Sequence, residues 1–156
     1  MEIKKILWPT DLSRNAAYAL PYVRSMSEKY QAEVHLLYVV EDVHWFDHFY
    51  GDADPKFLKE LQDKVMKDAA EYLGKLCTDE LAGCPVFRRD IVVGNPAQVI
   101  LNTVKEHNMD LVIMATHGHS REGQEEGGIR RFPFGSVTEK VTKNSPAPVL
   151  IVNPQT

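Results

Sequence analysis

The residues that point most directly to chemistry lie in two short segments near the end of the chain. An apolar run of strand type, Leu111–Ala115, leads into a loop at Gly118, and Gly135–Ser136 opens a helical pattern. Backbone N–H groups at a helix start have no partners within the helix and attract anions, above all where glycine leaves them uncovered. In an open α/β sheet such a loop lies beyond the carboxyl ends of the strands, where ligands bind. These segments therefore predict a site for a phosphate-bearing ligand.

Histidines near the same edge of the predicted sheet suggest a metal site as an alternative. They are His44, His48, His117 and His119. Grouped imidazoles suit zinc or another transition metal. We assign no metal, because His44 and His48 share a face only if their segment is helical. We also assign no catalytic residue, since the chain has no Walker-type lysine and His117 is the one candidate base near the predicted phosphates.

Hydrophobic periodicity and turn residues divide the chain into alternating strands and helices. The predicted strands are Ile3–Trp8, Glu33–Val40, Val86–Val93, Leu111–Ala115 and Val149–Val152. The predicted helices run from the cap Ser13 to Tyr30, from Pro55 to Cys77, from the cap Asn95 to His107, and from Ser136 to Asn144. Pro21 predicts a bend or a late start in the first helix. This order predicts a parallel α/β sheet covered on both faces, in a single domain that spans residues 1–156.

Five segments occur in an order that is typical of one protein family. They are Ile6–Ser13, Leu36–Val39, Val93–Ala97, Asp110–Gly118 and Gly135–Val141, the last followed by Pro146–Val152. Together they cover nearly the whole chain, and they resemble the universal stress protein family, a branch of the adenine-nucleotide α-hydrolase-like folds.

The resemblance implies a Rossmann-like, three-layer fold with five parallel strands in the order 3-2-1-4-5 and a nucleotide cleft above the first and fourth strands. It implies that the ligand is ATP or AMP, with Mg²⁺ as an accompanying ion. The residues assigned to the nucleotide in this way are Pro9, Thr10, Asp11, Val39, Met114, Ala115, His117, Gly118, Gly135, Ser136 and Val137. Of these, Asp11 and the backbone of Val39 are expected to hold adenine and ribose.

The resemblance also implies a homodimer formed by pairing of the last strand, Val149–Val152. A short apolar edge strand tends to associate unless it is covered, and self-pairing across a two-fold axis would cover it.

Two departures from the family's G-x2-G-x9-G-[S/T] pattern bear on the site. Ala115 stands at the first glycine, which is costly only if its φ is positive. The loop between Gly118 and Gly135 is lengthened to residues 119–134. This loop carries Arg121, Arg130 and Arg131, whose guanidinium groups match phosphate oxygens and could form a lid over them. A solvated surface loop with scattered charges is the alternative.

Structural roles remain open for several of these residues. Asp11 could simply cap a helix or a turn, and Ser136 could be a plain N-cap. The aromatic segment 45–50 could pack on adenine, line a groove for a partner, or cover the end of the sheet.

Composition excludes some classes of function. The net charge of −4 offers no basic excess for a nucleic-acid backbone. The absence of an apolar run of about 18 residues argues against a membrane span, and the N-terminus turns polar too early for a signal peptide. We therefore expect a cytoplasmic protein, in which Cys77 and Cys84 are reduced thiols, with a regulatory disulfide as the alternative.

The leading functional hypothesis is a dimeric stress-response and signalling module that binds an adenine nucleotide. One alternative is a family member that binds no nucleotide and acts through its dimer surface and a protein partner. The other is an enzyme, either a slow ATP hydrolase or a metal-dependent phosphoesterase. Slow ATP hydrolysis is the most that the residues support as an activity.

Overall fold

The fold is taken from a computed structural model that describes residues 1–42, 51, 54–82, 87–117 and 134–154. Within them, the strands are β1 (Lys5–Thr10), β2 (Glu33–Val40), β3 (Phe87–Val93), β4 (Leu111–Ala115) and β5 (Val149–Val152). The helices are α1 (Arg14–Ala17), α2 (Leu20–Tyr30), α3 (Pro55–Glu80), α4 (Pro96–Glu106) and α5 (Ser136–Asn144). None of the helices in these ranges combines the length and the apolar composition needed to cross a bilayer.

The strands form one parallel sheet in the order β3-β2-β1-β4-β5, which confirms the predicted architecture. Strand β1 lies at the centre, where Leu7 is opposite both His35 of β2 and Val112 of β4. The chain winds outward from β1 to β3 and then crosses over to β4 and β5. The winding direction therefore reverses between β1 and β4, which is where ligands bind in open α/β sheets.

Alternating side chains on the two faces of the sheet build two separate cores. Trp8, Val23 and Leu73 belong to the core between the sheet and helices α2 and α3. The second core contains Leu7 and residues of α4 and α5, and it lies on the opposite face. The helices thus cover both faces, as the alternation of strands and helices predicted.

Some element boundaries differ from the sequence prediction. The predicted strand Ile3–Trp8 instead begins at Lys5 and continues through Pro9 to Thr10, because both residues stay in register with β2. The predicted helix from Pro55 to Cys77 extends to Glu80, and the buried residue that follows, Leu81, packs its end into the core.

The predicted bend in the first helix is observed as two helices, α1 and α2. Pro21 lies in the first turn of α2, where a backbone N–H is not needed for the helix. The predicted caps are also confirmed, since Ser13 Oγ accepts from Ala16 N at 3.0 Å and Asn95 Oδ1 accepts from Gln98 N at 3.2 Å.

A buried histidine lies on the α4 face of the sheet. His35 is only 3% exposed, and its Nε2 lies 2.6 Å from Asp90 Oδ2 on β3. The ring of His107, at the end of α4, packs edge-on against it with 5.4 Å between centroids. Burial lowers the pKa of His35, and the hydrogen bond to Asp90 offsets this only in part.

We predict that this histidine makes the fold sensitive to mild acid. In the unfolded chain His35 protonates near its ordinary pKa of 6.5, whereas the folded chain keeps it neutral to a lower pH. Below pH 6.5 the unfolded state therefore binds more protons than the folded state. As the pH is lowered further, the free energy of unfolding decreases until the pH reaches the pKa of His35 in the folded chain. Urea unfolding of the parent and of His35→Gln, at about pH 7.5 and about pH 5, measures the effect. The free energy of unfolding of the variant should change less between the two pH values than that of the parent. An equal change in the two proteins would contradict the prediction.

Candidate functional site

A cavity of about 680 Å³ lies at the edge of the sheet where the parallel strands end. We call it the sheet-edge cavity, and its volume is in the range of small-molecule sites. Every residue assigned to the nucleotide that falls in the described ranges lines it: Pro9, Thr10, Asp11, Val39, Met114, Ala115, His117, Gly135, Ser136 and Val137. The other predicted site residues lie outside the described residues, and they are Gly118, Arg121, Arg130, Arg131, His44, His48 and His119, together with the aromatic segment 45–50.

Pro9 explains why the sheet opens at this point. Lys4 O accepts from Glu33 N of β2, and Lys5 O accepts from Asp110 N just before β4. Because alternate residues of a parallel strand face opposite neighbours, Pro9 faces β4 with a ring in place of an N–H. Pairing of β1 with β4 covers Ile6 and Leu7, whereas pairing with β2 continues to Thr10. A central-strand proline is tolerated because its missing donor falls where the two strands have parted.

The turn after β1 holds a carboxylate at the rim of the cavity. Asp11 Oδ1 accepts from Ser13 N at 3.0 Å, and Thr10 Oγ1 accepts from Leu12 N at 3.1 Å. Ser13 in turn caps α1. Asp11 therefore has the alternative role of a turn aspartate, and it lines the cavity at the same time.

The start of α5 lies on the β4 side of the cavity. The N-cap of this helix is Gly135, which has no side chain to accept a hydrogen bond from the first amides. The first amides of the helix, at Ser136, Val137 and Thr138, have no intrahelical partners, and all three residues line the cavity. The open end of the helix carries a partial positive charge that favours an anion.

Two bonds fix this helix start to the end of β4. Gly135 N donates to Thr116 O at 2.8 Å, and the buried Thr138 Oγ1 donates to Ala115 O at 3.0 Å. The geometry of the open amides is therefore set by the strand rather than by a capping side chain.

The alternative role of Ser136 as a plain N-cap is wrong, because Gly135 occupies that position and Ser136 is the first helical residue. Gly135 has φ −65°, which any residue can adopt. A Cβ added there would meet Thr116 O at 3.4 Å, an ordinary contact distance. Glycine is thus not needed for the backbone conformation, and what distinguishes it here is the lack of a side chain beside the first amides of the helix.

Ala115 causes no backbone strain where the family pattern has glycine. It is the last residue of β4, in register with Val152, and it is buried. The non-glycine residues of positive φ within the described ranges do not include it. Alanine in place of glycine would be costly here only at a positive φ, and Ala115 does not have one.

His117 is held in a defined orientation at the cavity. Its Nδ1 lies 3.0 Å from Thr116 Oγ1, and Thr116 Oγ1 lies 3.4 Å from Asn153 Oδ1 just after β5. These contacts link the imidazole to the end of the edge strand.

Sequence reasoning missed several residues that line the cavity. Tyr38 and Glu41 lie on the side of Asp11, while Val65 of α3 and Ile100 of α4 add apolar surface. Burial raises the pKa of the Tyr38 phenol, and the carboxylates of Asp11 and Glu41 raise it further. Glu41 could have been found by the rule used for Asp11, since it directly follows a strand. The apolar residues match a helical pattern and gave no separate signal.

A family model described as the universal stress protein family matches residues 2–153. The chain belongs to this family. Universal stress protein MJ0577 of Methanocaldococcus jannaschii is 32% identical over 160 residues, which cover 96% of this chain and 94% of that protein.

Solved structures of the family share the fold. The structure of MJ0577 has a TM-score of 0.81 at 29% identity and covers 100% of this chain and 99% of its own. The universal stress protein UspA from Lactobacillus plantarum has a TM-score of 0.80 at 24% identity, with 97% and 99% of the two chains covered, and so supports the fold alone.

The bond from Thr138 to Ala115 should hold the start of α5 in place. Replacing Thr138 by Val removes the donor from a buried site, and we expect a loss of about 1–3 kcal/mol of folding free energy. Thr142→Val is the control for the same change elsewhere in this helix, because the exposed Thr142 donates from Oγ1 to Thr138 O, one turn further from the cavity. Urea unfolding of the two variants measures the difference, and an equal effect in both would show that the strand-to-helix bond has no special weight.

Proposed function

We propose that this chain binds an adenine nucleotide, ATP or AMP, in the sheet-edge cavity. One observation carries the proposal: the cavity places an uncapped helix start and a strand-end carboxylate around a single space of nucleotide size. A nucleotide combines a phosphate with ribose hydroxyls and a flat base. Its phosphate needs hydrogen-bond donors and positive charge, whereas its ribose hydroxyls can donate to an acceptor such as a carboxylate.

Each part of the nucleotide has a matching part of the cavity in this proposal. The phosphate lies against the amides of Ser136, Val137 and Thr138, which donate hydrogen bonds and carry the positive end of the α5 dipole. Asp11 accepts from a ribose hydroxyl, since a carboxylate at the end of a parallel strand suits that contact. The backbone of Val39 lies beside the base, next to the apolar lining.

Related structures support this assignment by homology. A universal stress protein family protein of Arabidopsis thaliana has AMP bound, at 16% identity and a TM-score of 0.58. Another universal stress protein is in complex with cAMP, at 19% identity and a TM-score of 0.61. At these identities the shared fold alone is shown, so the transfer of the ligand to this chain is our proposal.

The biological role we propose is that of a cytoplasmic stress-response and signalling module rather than an enzyme. Occupancy of the cavity is the signal in this account. In this proposal Mg²⁺ accompanies ATP through its phosphates, and His117, which lines the cavity, contacts them and supports slow hydrolysis at most.

We further propose that the module is a homodimer that pairs through β5. Pro148 O, just before this strand, accepts from Val112 N of β4, and Val152 O accepts from Thr116 N just after β4. Because residues of a parallel strand alternate between neighbours, the N–H and C=O of Val149 and Ile151 face the outer edge of the sheet. Such an edge suits pairing with its own copy.

Ligand binding should raise the midpoint of thermal unfolding. At a hundredfold excess over the dissociation constant, AMP or ATP adds about 2.7 kcal/mol of stability, which corresponds to a rise of about 5–10 °C for a domain of this size. Differential scanning calorimetry with AMP, ADP and ATP, each with and without Mg²⁺, measures the shift. The absence of a shift with every nucleotide would reject nucleotide binding and favour a role through protein partners.

Substitution of Gly135 should separate binding from folding. A Cβ fits at this position, so Gly135→Ala and Gly135→Val should both fold, while the larger side chain covers the amides at the start of α5. We expect binding to weaken in the order glycine, alanine, valine, with a loss of at least about tenfold for valine. Titration calorimetry with AMP gives the affinities, and the melting curves without ligand control for folding. A valine variant that binds as tightly as the parent would show that the phosphate is not placed at this helix.

The dimer can be tested at Ile151, one of the two residues of β5 whose N–H faces the outer edge of the sheet. Ile151→Pro removes that donor but leaves the β4–β5 bonds through Pro148 and Val152 in place. We expect the variant to sediment as a monomer and the control Ile151→Val to remain a dimer. A proline variant that stays dimeric in sedimentation equilibrium would place the interface elsewhere.

A further inference from the structure

Leu12 has a backbone conformation that leucine seldom adopts. Its φ is +64°, in the left-handed region, which costs a residue with a Cβ roughly 1–2 kcal/mol. The other non-glycine residues of positive φ in the described ranges are Gln31 and Asn108, and both follow helix ends, where this conformation is common. Leu12 instead lies between a strand and a helix, at the rim of the sheet-edge cavity.

The side chain of Leu12 explains why the strained conformation persists. It is half-buried and packs against the core that contains Trp8, Val23 and Leu73. A glycine would adopt this conformation without strain, but it would have no side chain to fix the turn to the core. Burial of the leucine thus offsets the backbone strain and keeps the turn in one conformation.

The conformation of Leu12 determines where Asp11 is held. The bond from Ser13 N to Asp11 Oδ1 spans Leu12, so the chain must turn back at this residue for the two groups to meet. The amide of Leu12 is itself bonded to Thr10 Oγ1. Strand end, carboxylate and helix cap are therefore joined through one strained residue that is anchored in the core.

We infer that Leu12 is a positioning residue for the ligand site: by packing into the core it holds Asp11 in the orientation that accepts a hydroxyl of the ligand. This inference rests on the proposed function, in which Asp11 contacts the ribose. Leu12 itself does not line the cavity. Its effect on binding is the pre-ordering of one carboxylate, which lowers the entropy lost on association.

The test compares two substitutions that relieve the same kind of backbone strain. Leu12→Gly removes the anchor near the cavity. Gln31→Gly is the matched control. Gln31 is exposed and follows α2 just before β2 begins, at the end of the strands away from the cavity. Titration calorimetry uses AMP and 2′,3′-dideoxyadenosine 5′-monophosphate, which lacks both ribose hydroxyls.

Leu12→Gly should weaken the binding of AMP roughly 2- to 10-fold, the range expected for the loss of one pre-ordered side chain. The dideoxy analogue should bind the variant as it binds the parent, and Gln31→Gly should change neither affinity. In an Asp11→Ala background, Leu12→Gly should have no further effect on AMP. Unchanged AMP binding, or an equal loss for both ligands, would overturn the inference.

A measurement without ligand separates this inference from the proposed function. Hydrogen exchange of the Ser13 amide, followed by NMR, reports whether the bond to Asp11 stays closed. We expect faster exchange in Leu12→Gly and no change in Gln31→Gly. If the parent binds no AMP while this exchange still rises, the proposed function fails and the positioning role stands. If exchange is unchanged, the inference is wrong whatever the ligand.

Discussion

The missing N–H of Pro9 is the constraint on which the site depends. Pro9 lies in the central strand, and the position of its missing donor faces β4. It comes after Leu7, the last residue of β1 that pairs with β4. Strands β1 and β4 therefore part at their carboxyl ends, at the point where the winding of the chain reverses. The sheet-edge cavity occupies this gap, and every other feature of the site is arranged around it.

The two sides of the gap differ in chemistry because each strand ends differently. β1 ends in a turn that presents the carboxylate of Asp11, and β4 ends in bonds that fix the uncapped start of α5. Oxygen acceptors on one side and amide donors on the other suit a ligand with hydroxyls at one end and an anion at the other. Neither side needs a committed catalytic group for such a ligand to bind.

Hydrophobic periodicity, proline and capping residues act locally, and they predicted the strands and most helices. The strand order came from the resemblance to the family. The ten site residues that the resemblance named within the described ranges all line one cavity. Sequence reasoning could not foresee that β1 continues through Pro9, since that depends on register with β2. It also could not give the sign of φ at Ala115, the strain at Leu12, or the contribution of Val65 and Ile100, because these follow from packing between distant segments.

The most direct test of the account is an NMR titration of the backbone amides with AMP. The account predicts that the largest chemical-shift changes fall on Ser136, Val137 and Thr138, with a second group at Asp11 and its neighbours across the cavity. Changes confined to the opposite edge of the sheet, or none at saturating nucleotide, would contradict the claim that this helix start receives the phosphate.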